Sequence, residues 1–170
     1  MYHSEILQSH HSQSEPSHHS YHDNDHNQTN QNNNSTLNNN RMGIYVQGGR
    51  PLIELNTLNS NDQYPVFFLA SSAPSLQNNQ ASGNGWYNGH YVSVAAISQN
   101  TTWKKDLPYV VESNSSSFII VQASTTLTLA PGVILKPLQQ SYDNLIIEGR
   151  LDAQGTAANP IIITSLKDDG

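Results

Sequence analysis

The side chains best suited to hold a metal lie together near the start of the chain. His3, His10, His11, His18, His19, His22 and His26 are seven of its eight histidines, and residues 22–26 read His-Asp-Asn-Asp-His. Imidazole with carboxylate suits Ni²⁺, Cu²⁺ or Zn²⁺. His22 and His26 stand four apart, a spacing that brings two side chains together on a helix. The Asn/Gln/Ser mixture around them has no helical apolar periodicity, so the stretch reads as a polar low-complexity tail, with no metal site and no cofactor.

Glycoside hydrolysis needs two carboxyl groups a few ångströms apart, and polysaccharide lyases need carboxylates for calcium plus a basic residue. Beyond the tail the acidic residues are dispersed: Glu54, Asp62, Asp106, Glu112, Asp143, Glu148, Asp152, Asp168 and Asp169. Asp168 and Asp169 are adjacent, in a segment that reads as a solvated loop. Nucleophilic chemistry fares no better. Gly-x-Ser-x-Gly, Walker, Rossmann and zincin motifs are absent, and there is no cysteine. The remaining histidine, His90 in Asn-Gly-His-Tyr, is expected at an exposed corner without a partner. No catalytic residue is assigned.

Aromatic residues offer a different chemistry, because a flat ring stacks on the apolar face of a sugar. Trp86, Tyr87 and Tyr91, beside Asn84, Asn88 and His90, form the candidate carbohydrate-contact patch. Packing of those rings against neighbouring parts of the fold is the plain alternative.

The elements that must position these residues are short strands. GIYV, VFFL, YVSV and FIIV are runs of β-branched or aromatic residues bounded by Gly, Pro, Asn and Ser. They recur. TLNNN (36–40) returns as TLNSN (57–61), 21 residues on, and GIYVQGGRPLIELN (43–56) lies over VFFLASSAPSLQNN (66–79) at an offset of 23. In that alignment Ile44 meets Phe67, Val46 meets Leu69, Pro51 meets Pro74, Ile53 meets Leu76, Asn56 meets Asn79 and Asn61 meets Asn84. Glu54 meets Gln77, so no carboxylate stack forms there.

A repeat of this length, made of strands, predicts an all-β solenoid: a parallel β-helix whose coils stack about 4.8 Å apart. Asn56 and Asn79 then share a corner, where amides hydrogen-bond along the axis and Asn accepts a left-handed backbone. Residues 1–35 are expected to be a disordered tail. Residues 36–170 are expected to form about six coils, ending without a cap.

Two later segments carry a family resemblance. LTLAPGVILK (127–136) and LIIEGRLDAQGTAANPIIITSLKDD (145–169) resemble the repeat unit of bacterial right-handed parallel β-helix surface proteins, of the pectate-lyase-like superfamily. Leu127, Thr128, Pro131, Gly132, Val133 and Lys136 match its first half. Gly149, Leu151, Ala153, Gly155, Thr156, Pro160, Ile161, Thr164 and Ser165 match the second, and Ile163 stands where a Phe is usual. The resemblance implies a right-handed β-helix, in which a further coil normally follows; the chain is therefore expected to be a fragment of a larger secreted or cell-surface protein. It is poor evidence for activity, since one fold hosts many functions.

Composition narrows the partners. Net charge is −6 with only seven Lys and Arg, which lacks the basic stripe that nucleic acid requires. No 18-residue apolar stretch exists to span a membrane as a helix. The expected role is structural or adhesive, with extracellular glycans or neighbouring β-helix coils as partners and no catalysis of its own. The alternative is part of a polysaccharide-acting lyase or hydrolase whose catalytic residues lie outside this chain.

Overall fold

The computed structural model describes residues 6–8, 31–112, 118–138 and 145–168. They form sixteen short β-strands and no helix. One face of the molecule is a long sheet in the order β1 (Ile6–Gln8), β3 (Ile44–Val46), β5 (Val66–Leu69), β7 (His90–Ser93), β10 (Tyr109–Val111), β13 (Ile134–Pro137) and β16 (Ile162–Ile163). Every pairing from β3 onward is parallel, while β1 lies antiparallel on β3.

The chain is a parallel β-solenoid. Residue pairing runs Ile44, Val66, His90, Tyr109, Leu135, Ile163, so five successive turns take 22, 24, 19, 26 and 28 residues. The other faces are three-stranded sheets. One stacks β2 (Gln31–Asn33), β4 (Leu52–Glu54) and β6 (Ser75–Gln77). A second stacks β8 (Ala96–Ile97), β11 (Ile119–Val121) and β14 (Leu145–Ile147), and a third stacks β9 (Thr101–Trp103), β12 (Thr126–Leu129) and β15 (Arg150–Ala153). Among the described residues parallel stacking is present from Gln31, five residues before the boundary expected at 36; most of the His-rich tail lies outside the described residues.

Alternation of side chains across the strands fills the interior. Ile44, Val46, Ile53, Val66, Phe68, Val92, Ile119, Val121, Leu127 and Leu129 are at most 1% exposed, each such aliphatic or aromatic side chain contributing roughly 1.5–3 kcal/mol of transfer free energy. One expected register is corrected. Ile44 pairs with Val66 and Val46 with Phe68, an offset of 22, whereas the next strand keeps 23, with Ile53 on Leu76. A slip of one residue exchanges the two faces of a strand. Val66 and Phe68 therefore enter the core, and Phe67 and Leu69 stand outside; the loop before Pro74 absorbs the extra residue.

Where each coil enters the long sheet, pairing places Gly43, Pro65, Gly89 and Pro108 in one column. A Cβ at Gly43 would lie 2.4 Å from the Pro65 carbonyl oxygen, and one at Gly89 would lie 2.6 Å from that of Pro108. Those carbonyls accept the amides of Ile44 (3.0 Å) and His90 (2.8 Å). Glycine is there because backbones touch.

Candidate functional site

Two polar columns run along the solenoid at its corners. In one, Asn56 donates from its backbone N–H and its Nδ2 to Asn79 Oδ1, at 3.2 and 3.0 Å. In the other, Asn61 does the same to Asn84 Oδ1, at 2.9 Å for both. The spare amide hydrogens go to backbone carbonyls, Asn79 to Ile53 and Asn84 to Leu58. The expected ladder is present, but its left-handed backbone lies one residue earlier than expected. Asn34, Leu55 and Asn78 have φ of 53°, 58° and 56°, and Asn39, Ser60 and Gly83 have 59°, 54° and 64°. The ladder Asn is the residue after the corner, aimed inward by it.

Each ladder ends on an acceptor from a following loop. Asn84 donates its N–H and Nδ2 to Asn88 Oδ1, at 3.0 and 2.9 Å. Asn79 donates its N–H to Asp106 Oδ1 at 2.8 Å and its Nδ2 to Asp106 Oδ2 at 2.7 Å. His90 Nε2 lies 2.8 Å from the same Oδ2. The expected exposed, unpartnered His90 is thus corrected: its side chain is fully buried and that of Asp106 is 1% exposed. His90 occupies an inward column between Val66 and Tyr109, where only a paired imidazole is tolerable. Its other nitrogen, Nδ1, and Trp103 Nε1 have no hydrogen-bond partner among the described residues. Sealed from solvent, this pair organises the interior and is out of reach of a substrate.

The outward column of the long sheet reads Tyr45, Phe67, Tyr91, Val110, Lys136. Tyr45 stacks on Phe67 with ring centres 5.0 Å apart, and Phe67 on Tyr91 at 5.3 Å. Tyr64, 3% exposed, is the hub: it lies 4.3 Å from Tyr91, 6.0 Å from Tyr87 and 5.2 Å, edge to face, from Trp86. Burial pushes the Tyr64 phenol up to about 12. Burial also raises Tyr91, helped by the charge of Glu112 to which its hydroxyl is hydrogen-bonded, and raises Tyr109, helped by Asp106.

Beside this cluster is a groove of about 450 Å³. Trp86, Tyr87 and Asn88 come from the loop before β7, Pro108 and Val110 from the next coil, and Lys136, Leu166 and Lys167 from the coils beyond. Of the three residues expected at a carbohydrate contact, Trp86 and Tyr87 line the groove. Tyr91, 8% exposed, packs with Tyr64 and Val110 instead. Tyr64, Lys136 and Lys167 were absent from that expectation. Only coil register brings them to one place.

Several carboxylates take a neighbouring side chain as partner. Gln77 Nε2 donates to Glu54, Ser93 Oγ donates to Glu112 at 2.5 Å, Thr164 Oγ1 donates to Asp168 at 2.6 Å, and Asp152 faces Arg150 at 3.8 Å. None lines the groove; Asp143 and Asp169 lie outside the described residues. Among the described residues no three His, Asp or Glu group as a metal site, and no helix is long and apolar enough to cross a membrane. The His22–His26 stretch lies outside the described residues. Compared with family models, curated proteins and solved structures, the chain matches none.

Proposed function

We propose that this chain is a β-solenoid segment of a bacterial cell-surface or secreted protein, a stiff scaffold with a structural or adhesive role that contacts glycans through the groove at Trp86. The observation carrying this reading is the indole itself. Trp86 is 58% exposed, the one exposed aromatic among the described residues, while Tyr64 behind it is buried and holds it edge-on. An exposed ring beside a groove is the arrangement that stacks on a sugar face. The motifs at 127–136 and 145–169 support kinship with bacterial surface β-helices. The reading assigns binding and no catalysis: among the described residues no carboxylate lines the groove, whereas glycoside cleavage by the common route uses two.

A glycan array probed with the chain, repeated with Trp86→Ala, tests this. Expected is a discrete set of bound oligosaccharides that Trp86→Ala loses while its circular dichroism stays unchanged. Binding indifferent to that substitution, or no binding across the array, counts against the groove as the contact.

A further inference from the structure

We infer that the groove selects sugars bearing an anionic substituent, a carboxylate or sulfate, over neutral sugars; this rests on the glycan reading above. The first ground is where the charges are. The chain has thirteen Asp and Glu against seven Lys and Arg. Yet among the described residues the groove is lined by two of the seven cations, Lys136 and Lys167, and by no acid. A concave site lined by one sign of charge concentrates the opposite sign, even on a molecule whose net charge repels it.

The second ground is the direction of the hydrogen bonds. Asn88 Oδ1 already accepts two bonds from Asn84, one from a backbone N–H, which can only donate. The Asn88 amide therefore has donors alone to offer. Lys136 Nζ spends one of its three hydrogens on the Asp168 carbonyl, leaving two. The Lys167 ammonium makes no hydrogen bond or ion pair among the described residues; only its backbone amide does, to Ser165. Apart from the Tyr87 hydroxyl, which both donates and accepts, the polar side-chain groups free to meet a ligand are donors. A neutral sugar presents hydroxyls that also need acceptors, commonly carboxylates. A carboxylate or sulfate needs only donors. Trp86 and Tyr87 supply the stacking surface and the two lysines the charge.

The test is calorimetric titration of the full chain with neutral, uronic-acid and sulfated oligosaccharides of equal length, at low and high salt. Expected is a preference of about tenfold or more for one or both anionic series, falling with salt. The Lys136→Met/Lys167→Met double variant should bring the anionic-to-neutral ratio close to one, while Lys105→Met, outside the groove, leaves it alone. Lys167→Glu, at an exposed position, gives a second reading if the double variant folds poorly, and should reverse the preference. The uronic and sulfated arms say which anion is the ligand. Equal binding of neutral and anionic sugars, lost in Trp86→Ala but insensitive to the lysines, overturns this inference and leaves the glycan reading standing. No binding of any series overturns both. Inhibition by inorganic sulfate as strong as that by the sulfated sugar reduces the site to an anion site and overturns the sugar selectivity.

Discussion

Asp106 Oδ2 receives His90 Nε2 at 2.8 Å and Asn79 Nδ2 at 2.7 Å, so a single buried oxygen joins a corner ladder to a core column. A carboxylate, which only accepts, can end a chain of amide donors. Removing the imidazole strips one of three donors from a charge that is 1% exposed. His90→Leu should therefore cost about 3–5 kcal/mol. His90→Leu/Asp106→Asn should cost less than His90→Leu alone, because a neutral amide at position 106 continues the ladder with no charge to balance. Denaturant melts of the wild type, the two single variants and the double variant check this; strictly additive costs would show that the two side chains are not coupled.

Leu55 sits at φ 58°, half-exposed, between Asn34 and Asn78, which share that conformation in the coils on either side. A leucine there carries a left-handed penalty of about 1 kcal/mol that Asn largely escapes. Leu55→Asn should stabilise by about 0.5–1 kcal/mol, read as a rise in Tm. An unchanged or lower Tm would mean that the Leu55 side chain contributes packing that its exposure conceals.

Gly89→Ala should be severe. Its Cβ would meet the Pro108 carbonyl at 2.6 Å, and that carbonyl holds the His90 amide at 2.8 Å. Backbone cannot yield as a flexible side chain does, so a loss of about 2 kcal/mol or more is expected. The exposed Gly83, with open space and only Ser60 Oγ nearby at 3.6 Å, should lose less on substitution by Asn, since Asn tolerates its φ of 64°. Comparing the two Tm values tests whether contact, rather than conformation, dominates at Gly89.

Alkaline titration should destabilise the protein once the pH passes the range in which unfolded tyrosines ionise. The Tyr64 phenol is pushed up to about 12 by burial, and Tyr91 and Tyr109 move the same way. An unfolded tyrosine ionises near pH ~10. Between those values the folded chain holds more protons than the unfolded one, so stability falls as pH rises. The contribution is full below pH 10 and is lost through about 12. Tm measured from about pH 9 to 12 should drop, and Tyr64→Phe should flatten the decline. A Tm independent of pH across that window would rule out tyrosine burial as a determinant.

The sequence by itself determined the architecture. Short apolar runs punctuated by Gly, Pro and Asn, returning after 21–23 residues, leave a stacked parallel solenoid as the way to bury them, and the Asn56–Asn79 and Asn61–Asn84 columns follow from that spacing. Tertiary structure alone decided which face of Val66–Leu69 is inside, because both faces are apolar and a one-residue insertion elsewhere in the turn sets the register. It decided that His90 is buried, since its partner Asp106 lies 16 residues ahead at no periodic position. It also assembled the groove, whose residues 86, 136 and 167 meet only because turns of 19, 26 and 28 residues bring them into neighbouring layers. A repeat shows in sequence when its spacing is regular. Contacts across turns of unequal length depend on how each loop closes, and that is settled by the folded backbone.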